Sequence, residues 1–274
     1  MSEAAGAAEL AFGAWAPTAL QRAIIAASRG SFLRRGLYRK RIAPLLMALR
    51  SGPIDATLGQ ARFRFDLRDN TTDSSALLNP GYDAEEIAFL AGAAAGGIFL
   101  DIGANTGFYA LTMAQRLGSG GRVVAIEPEP RALARLTFNV ALNPDLRIDI
   151  VPLAVGASAG TVRFRTFANL GYGHIDSDGD IQVPMMPLVD VLQSRDVHRI
   201  GATKIDVEGI EDQVLIPFFD AAPPSFWPRR VVIEHLWRKK WKTDCILRMA
   251  ALGYREVARQ RSNTMLALGK ETAA

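Results

Sequence analysis

Short apolar runs recur through the middle of the chain and alternate with stretches of helical periodicity. Runs of roughly four to eight apolar residues indicate buried strands, whereas apolar residues at helical steps indicate helices. The predicted strands are Ile98 to Ile102, Arg122 to Ile126, Arg147 to Pro152, Ala202 to Ile205 and Arg230 to Ile233. The predicted helices are Thr106 to Leu117, Pro130 to Leu142 and Lys242 to Leu252. This alternation predicts an α/β fold with a mostly parallel sheet and helices on both faces.

Further elements flank this predicted core. Alternating apolar positions from Ile54 to Leu67 predict a β-hairpin ahead of the sheet. A polar loop is expected over Arg68 to Ser75, and Asp83 is expected to cap a helix over Ala84 to Ala94. The remaining predicted segments are a β-rich excursion (Thr161 to Phe167), a glycine-rich loop (Asn169 to Asp180) and a closing hairpin (Tyr254 to Ala258 with Thr264 to Leu268).

The N-terminal segment differs from the rest of the chain in charge. Between Leu10 and Ile54 there are eight basic residues and no acid. With Glu3 and Glu9 included, this segment has a charge of about +6. The net charge of the whole chain is +4, so the rest of the chain is near −2. The basic character therefore belongs to an N-terminal arm, residues 1–53, and not to the main domain, residues 54–274.

Helical periodicity extends through most of this arm. Apolar residues recur at three- and four-residue steps between Ala19 and Leu49, and Gly30, Gly36 and Pro44 interrupt them. We therefore expect one or two helices rather than a single long one. The favoured interpretation is a helical cap on one end of the core with solvated arginines. The alternative is peripheral contact of residues 19–50 with a membrane surface or a polyanion.

Bulk composition excludes several classes of protein. No run of about eighteen apolar residues suggests a membrane-spanning helix. The acidic, alanine-rich start does not resemble a secretory signal. The single cysteine, Cys245, has no partner for an internal disulfide, as expected in a reducing compartment. We therefore expect a globular, cytoplasmic protein with peripheral membrane contact as an option; its oligomeric state is not predicted.

Two of the predicted parallel strands end in a carboxylate. Asp101 ends the first and is followed by the turn G-A-N-T-G, while Glu127 follows the second. Ligands of open parallel sheets bind at the carboxyl ends of the strands. An acid before the glycines would repel a pyrophosphate but suits a ligand with an ammonium and a sulfonium, and Glu127 can accept hydrogen bonds from ribose hydroxyls. The pattern indicates S-adenosylmethionine (SAM) and not a dinucleotide.

Four stretches resemble the FkbM family of class I SAM-dependent methyltransferases: D-I-G-A-N-T-G-F-Y from Asp101, I-E-P-E-P from Ile126, L-A-V-G from Leu153 and K-I-D-V-E-G-I-E from Lys204. The resemblance extends from about Ile54 to Leu268. It implies a Rossmann-like fold with a seven-stranded sheet whose last strand is antiparallel, and O-methylation of hydroxyl-bearing substrates. The cofactor-binding residues it implies are Asp101, Gly103, Ala104, Asn105, Gly107, Phe108, Glu127, Pro128 and Ala154.

The methyl acceptor should bind beside the ends of the fourth and fifth strands. An alcohol needs a base or a metal to become a good nucleophile. We predict Asp206, Glu208 and His235 as catalytic residues, with His235 or Asp206 preferred as the base. No metal is predicted, although Asp206, Glu208 and Glu234 could form an oxygen-rich divalent site. His174, in the glycine-rich loop, is expected at the surface.

The sequence predicts O-methylation of a sugar, glycolipid, polyketide or similar metabolite. No N-P-P-Y or D-P-P-Y element follows the fourth strand, which disfavours methylation of a base amino group. The acidic main domain makes a nucleic-acid partner unlikely unless the arm binds it. The alternatives are therefore an RNA methyltransferase that uses the arm, or a non-catalytic SAM-binding regulator.

Overall fold

The computed structural model describes residues 10–34, 36–95 and 97–269. The predicted loose start (residues 1–9) and the chain end (270–274) lie outside the described residues. The arm forms two helices, α1 (Ala19–Arg29) and α2 (Gly36–Leu49). The break between them confirms the expected interruption at Gly30 and Gly36, whereas Pro44 lies inside α2.

The arm packs directly on the main domain. The Arg29 guanidinium donates to the Leu77 carbonyl at 2.8 Å, and the Ser28 hydroxyl donates to the Leu78 carbonyl at 3.3 Å. Leu46 and Ile54 are fully buried in one core on either side of the predicted boundary at residue 53. This packing supports the cap interpretation, and the boundary itself stays a prediction.

A hairpin and two helices lead into the sheet. They are β1 (Ile54–Leu58), β2 (Ala61–Phe65), α3 (Thr71–Leu78) and α4 (Ala84–Ala94). The hairpin confirms the alternating pattern, whereas α3 replaces much of the loop expected over Arg68 to Ser75. The Asn70 carboxamide caps α3 by accepting from the amides of Thr72 (2.9 Å) and Asp73 (3.3 Å).

Asp83 does not cap α4 with its side chain, contrary to the prediction. Its backbone is left-handed (φ +50°), and it makes no side-chain cap hydrogen bond. Its carboxylate instead accepts from the Tyr109 hydroxyl at 3.0 Å. Glu86 accepts from the same Tyr109 hydroxyl at 2.5 Å. The Asp83 side chain therefore faces the interior, beside Tyr109 and Glu86, and not the end of the helix.

The main sheet alternates with helices as the sequence predicts. Its strands are β3 (Ile98–Ile102), β4 (Arg122–Ile126), β5 (Ile148–Val151), β10 (Ala202–Ile205), β11 (Arg230–Glu234), β12 (Tyr254–Arg259) and β13 (Asn263–Leu268). Their order is β12-β13-β11-β10-β3-β4-β5. Strand β13 runs antiparallel to β11, whereas the neighbours from β11 through β5 are all parallel. The seven-stranded Rossmann-like sheet with an antiparallel last strand is confirmed.

Helices cover both faces of this sheet. They are α5 (Phe108–Leu117), α6 (Pro130–Ala141), α7 (Leu188–Ser194), α8 (Glu211–Ala221) and α9 (Cys245–Ala251). Along β3, Phe99 belongs to one buried cluster with the arm and α5, while Leu100 belongs to a second with α7, α8 and α9. This alternation is the two-residue period of a strand buried on both sides.

The β-rich excursion forms a separate four-stranded sheet between β5 and α7. Its strands are β6 (Ala154–Gly156), β7 (Gly160–Arg165), β8 (His174–Ile175) and β9 (Ile181–Pro187), in the order β6-β9-β7-β8. The loop between β7 and β8 borders the pocket described below. Among the residues that the structure describes, no helix has the length and apolar character needed to cross a bilayer.

Candidate active site

A cavity of about 310 Å³ opens at the carboxyl ends of the central parallel strands. Residues at and just after the ends of β3, β4, β10 and β11 line it. Neighbouring parallel strands end at the same edge of a sheet, so four separate stretches of sequence meet here. The β3 and β4 ends form the donor half of the cavity. The β10 and β11 ends form the acceptor half.

Gly103 is the point at which the two halves touch. Its φ is +81°, and a Cβ placed on it would lie 1.9 Å from the backbone oxygen of Asp206. The Gly103 and Ala104 amides both donate to the Ile126 carbonyl at 3.0 Å, which folds the loop over β4. Only glycine allows this close approach. Packing against Asp206 therefore requires a glycine at this position of the G-A-N-T-G turn, whether or not a ligand binds there.

Asp101 is a buried carboxylate with unused bonding capacity. It is 1% exposed, and its Oδ2 has no hydrogen-bond partner. Burial raises the pKa of its carboxyl to about 7, against the attraction of the Lys204 ammonium. A buried acceptor without a partner is unfavourable unless a ligand satisfies it, and an ammonium group would do so.

Glu127 organises the glycine loop from β4. Its Oε2 accepts from the Asn105 amide at 2.7 Å, and its Oε1 accepts from the Glu129 amide at 2.9 Å. Asn105 itself is left-handed, with φ +51°. Burial raises the pKa of Glu127 to about 7. Each oxygen retains a lone pair for a further donor such as a ribose hydroxyl.

The structure brings most of the predicted cofactor residues together. Those that line the cavity are Asp101, Gly103, Ala104, Asn105, Phe108, Glu127, Pro128 and Ala154. Gly107 does not line it. It lies behind the loop with φ +94°, where a Cβ would be 2.8 Å from the Leu136 side chain. Gly107 therefore shapes the turn into α5 and does not itself face a ligand.

Lys204 and Asp206 form a charged pair in the acceptor half. The Lys204 ammonium lies 3.2 Å from Asp206 Oδ2 and 3.4 Å from Asn263 Oδ1. The Lys204 side chain is 4% exposed, whereas that of Asp206 is 37% exposed. Burial opposes the charge on Lys204, but Asp206 and Glu86 outweigh it and raise its pKa. Lys204 is thus a fixed internal cation that holds Asp206 at the cavity.

Glu208 and Glu234 line the cavity next to this pair. Burial, followed by the charge of Asp206, raises the pKa of Glu208 to about 7 and that of Glu234 to about 8. Glu208 accepts from the Trp237 indole at 2.6 Å. The Oε2 of Glu234 is buried and has no partner. Both carboxyls therefore keep a proton at higher pH than an exposed glutamate does.

His235 is not part of the cavity, contrary to its prediction as a preferred base. The lining includes Glu234 and Leu236 but not His235. Successive residues at a strand end point to opposite sides, and the ring nitrogen Nδ1 of His235 lies 3.0 Å from the Thr264 hydroxyl. His174 also lies outside the lining: its Nδ1 is 2.9 Å from the Tyr172 carbonyl, and its ring stacks on Phe167.

The carboxylates that converge are not the three proposed as a metal site. Asp206 and Glu234 come together with Glu211, all within 4.8 Å, and Glu208 is outside this group. Glu211 already accepts from the amides of Val207 (3.0 Å) and Gly209 (3.2 Å) and from the Trp241 indole. Glu211 therefore holds the turn after β10, and the Lys204 ammonium supplies positive charge beside Asp206.

Several residues that line the cavity are not among the predicted site residues. Lys204 belongs to the K-I-D-V-E-G-I-E motif, but only the acids Asp206 and Glu208 of that motif are predicted to act at the site. Thr71 and Thr72 reach the cavity because α3 begins there, and the Asn70 amide donates to Asn105 Oδ1 at 2.8 Å. An asparagine followed by an acid in the first turn is a helix-start signal that could have revealed α3. Residues 169–173, from the β7–β8 loop, carried no such signal.

The charge of the cavity matches the expected cofactor. Among the described lining residues, seven are acids and Lys204 is the basic one. SAM carries a sulfonium and an ammonium, which an acidic cavity attracts. The unpaired Asp101 oxygen, the glycine approach and the remaining lone pairs of Glu127 fit its amino-acid and ribose parts. The residues present therefore fit SAM.

Comparison with solved structures finds methyltransferases of low sequence identity. An O-methyltransferase from Bacillus cereus in complex with SAH is 16% identical, with 69% of this chain and 80% of that chain covered and a TM-score of 0.44. A Pyrococcus abyssi tRNA (uracil-54, C5)-methyltransferase is 11% identical; 78% of this chain and 43% of that chain are covered, with a TM-score of 0.44. A precorrin-6y C5,15-methyltransferase from Geobacter metallireducens is 14% identical, with 68% and 88% covered and a TM-score of 0.39.

No curated protein matches the chain. A family model described as the methyltransferase FkbM domain matches residues 101–256, which is more than half of the chain and includes both halves of the cavity. The chain therefore belongs to the FkbM family of SAM-dependent methyltransferases.

Proposed function

We propose that this protein transfers the methyl group of SAM to a hydroxyl oxygen of a sugar, glycolipid, polyketide or similar metabolite. The observation that carries the proposal is the partly exposed Asp206 carboxylate, fixed by the buried Lys204 ammonium at the point where the two halves meet. The backbone of Asp206 touches Gly103 of the donor loop. A hydroxyl held by Asp206 would therefore be next to the donor.

The residues divide the work between binding and proton removal. Bound SAM supplies an activated methyl group on a sulfonium. Asp206 accepts a hydrogen bond from the acceptor hydroxyl and takes its proton as the oxygen–carbon bond forms. Lys204 keeps the Asp206 carboxylate in place. Glu208, which lines the same cavity and has a pKa of about 7, can accept the proton next.

A hydroxyl acceptor explains why a base is needed at this position. A neutral amine attacks through its own lone pair and can lose its proton afterwards, whereas an alcohol is a weak nucleophile until its proton is being removed. An acidic cavity is also unfavourable for the phosphate backbone of RNA. Both arguments favour a small hydroxyl-bearing acceptor over the RNA alternative.

The decisive experiment is SAM calorimetry followed by an acceptor screen with labelled methyl donor. Asp206→Asn should lower kcat about 10²- to 10⁴-fold, the usual contribution of a general base. Its SAM dissociation constant should stay within about threefold, because Asn can keep the local hydrogen bonds. Asp145→Asn, at an exposed position, is the matched control and should leave both values unchanged.

Three results would contradict the proposal. Absence of SAM binding would remove the cofactor assignment. Full turnover by Asp206→Asn would remove the base. SAM binding with no turnover on any acceptor would favour the non-catalytic regulator instead.

A further inference from the structure

The outer side of the arm carries a row of exposed apolar side chains. Phe32, Tyr38, Leu45 and Leu49 form this apolar strip, with exposed fractions of 60%, 36%, 49% and 39%. The last three lie at steps of seven and four along α2, so they share one side of the helix. The Phe32 ring meets the Tyr38 ring edge-on at 5.2 Å, which extends the row beyond the helix.

This strip is not the face that holds the arm to the domain. Ile42, Ala43 and Leu46 of α2 are buried in the core with the hairpin and α3. The helix has therefore already used one apolar face for folding. Large apolar patches that stay exposed after folding mark interaction surfaces in soluble proteins.

Cations without ion-pair partners lie in the same segment as the strip: Arg41 is beside it on α2, whereas Lys40 projects from the other side of that helix. Arg34, Lys40 and Arg41 are exposed, and no described carboxylate pairs with any of them. Residues 10 to 53 contain no acid at all. By contrast, Arg29 and Arg50 turn inward and donate to the Leu77 and Trp15 carbonyls at 2.8 and 3.0 Å. The outward cations are therefore not held in place by an ion pair with a described carboxylate.

We infer that the apolar strip and the outward cations of the same segment dock the protein on an anionic lipid surface. Aromatic and leucine side chains in a row with arginine and lysine beside them are the composition of helices that lie in the membrane interface. Each cation near such a surface adds attraction, and the long stems let the charges reach the headgroups. Nucleic acid would use the cations but has no need of the four exposed apolar side chains.

Helix α2 also contacts a residue that lines the cavity. The guanidinium of Arg39, in the first turns of α2, lies 5.9 Å from the centre of the Tyr82 ring, and Tyr82 lines the cavity. Docking through α2 would therefore hold at the lipid surface a helix that contacts the cavity wall. The inference itself rests on the strip and is independent of the proposed reaction.

Vesicle sedimentation with the full chain tests the docking surface. The probes are vesicles of phosphatidylcholine with about 30% phosphatidylglycerol, whose anionic headgroups give a negative surface potential, and vesicles of phosphatidylcholine alone. We expect binding to the anionic vesicles that weakens as salt is added, and little binding to the neutral ones. Binding to both alike, without salt dependence, would overturn the electrostatic part of the inference.

Two sets of variants locate the surface. Arg34→Gln, Lys40→Gln and Arg41→Gln together should weaken anionic-vesicle binding about a hundredfold, since each cation adds about 1 kcal/mol and 1.4 kcal/mol is tenfold. Leu45→Asn with Leu49→Asn should weaken it at least about tenfold through lost burial in lipid. All five positions are exposed, so folding should be retained, which thermal unfolding checks.

Matched controls change the same residue types elsewhere on the surface. Leu247→Asn alters a leucine that is 64% exposed, and the triple change of Arg116, Arg147 and Arg199 to Gln removes three exposed charges from the main domain. Neither should reduce vesicle binding by more than about twofold. Equal loss in the arm variants and these controls would mean that general positive charge, not this strip, drives binding.

The remaining outcomes assign the strip to another occupant. Binding of transfer RNA without binding of vesicles would make the arm a nucleic-acid contact. A stable dimer that Leu45→Asn with Leu49→Asn converts to monomer, with no vesicle binding, would make it an interface between copies. SAM calorimetry on the same samples keeps the proposed reaction separate, because SAM binding and vesicle binding can succeed or fail independently.

Discussion

The donor and acceptor halves of the cavity are built in different ways. In the donor half, backbone geometry dominates: Gly103 and Asn105 are left-handed, and the Glu127 carboxylate holds their loop. In the acceptor half, side-chain charges dominate, with the Lys204 ammonium held among Asp206, Glu86 and other acids. A backbone constraint restricts which residue is allowed at a single position. A charge cluster depends on residues that only the fold brings together.

The largest effect should come from the contact that joins the halves. Gly103→Ala places a Cβ 1.9 Å from the Asp206 backbone oxygen and must also hold φ at +81°. Overpacking against backbone together with left-handed strain should cost about 3 kcal/mol or more of unfolding free energy. We expect loss of SAM binding in calorimetry and a lower unfolding temperature.

Gly120→Ala is the control for this change. Its Cβ would have nothing within 4 Å, so stability and SAM affinity should remain near those of the wild type. If Gly103→Ala were as harmless as Gly120→Ala, the two halves would not be locked together by the backbone as the structure indicates.

The next effect separates charge from geometry in the donor half. Asp101→Asn keeps the shape of the side chain but removes the anion that would meet the SAM ammonium. SAM should bind about 10- to 100-fold more weakly, the range for a hydrogen bond to a charged group. Folding stability at pH 8 should not fall, because a buried carboxyl with a raised pKa is itself unfavourable when ionised.

Asp149→Asn gives the comparison. Asp149 pairs with Arg122 on the neighbouring strand, away from the cavity, and its change should leave SAM affinity unaltered. An Asp101→Asn variant that binds SAM like the wild type would show that the glycine loop, not the carboxylate, recognises the cofactor.

A smaller effect concerns the acceptor half and pH. The pKa of Glu234 is raised from an ordinary 4.5 to about 8, so the folded protein keeps a proton that the unfolded chain loses. Between these values stability falls as pH rises, by at most about 1.4 kcal/mol per pH unit. Glu234→Gln should therefore change the unfolding temperature little at pH 5 and raise it at pH 8 by at least about 2–4 °C, the shift that 1 kcal/mol produces in a chain of this size.

Glu256→Gln tests the sign of this argument. The hydrogen bond and charge of Arg259 lower the pKa of Glu256, so removing this carboxylate should be neutral or slightly destabilising at pH 8. The same direction of change in both variants would mean that the burial of Glu234 does not govern its titration.

The sequence predicted the main sheet and the donor half well. The bounds of β3, β4 and β10 match the predicted strands residue for residue. For β3 and β4 the reason is that strands buried on both faces are nearly continuous apolar runs. The helix after the glycine loop begins at Phe108 and not at Thr106, because Gly107 is still left-handed. These features depend on neighbours in the chain, and so they can be predicted from it.

The acceptor half and its surroundings were predicted less well. The partners of Lys204 come from α4, β10 and β13, and no local pattern joins them. The polar first residues of α3 predict a loop, whereas the structure has a helix there. Glu234 and His235 are adjacent in sequence, yet the strand turns one into the cavity and the other away. Choosing between them requires the register of β11 against β13.

His235 therefore provides the smallest expected effect and the sharpest test of that register. Its ring lies beside the Thr264 hydroxyl, outside the cavity lining, and burial with the nearby Arg259 charge lowers its pKa. A neutral ring that touches no reacting atom should contribute little, so His235→Gln should change kcat and SAM affinity by less than about twofold, as is usual for surface changes. The measurement is labelled methyl transfer beside Asp206→Asn under the same conditions. A loss of activity as large as that of Asp206→Asn, with stability unchanged, would restore the histidine as the base and require β11 to present its other side to the acceptor.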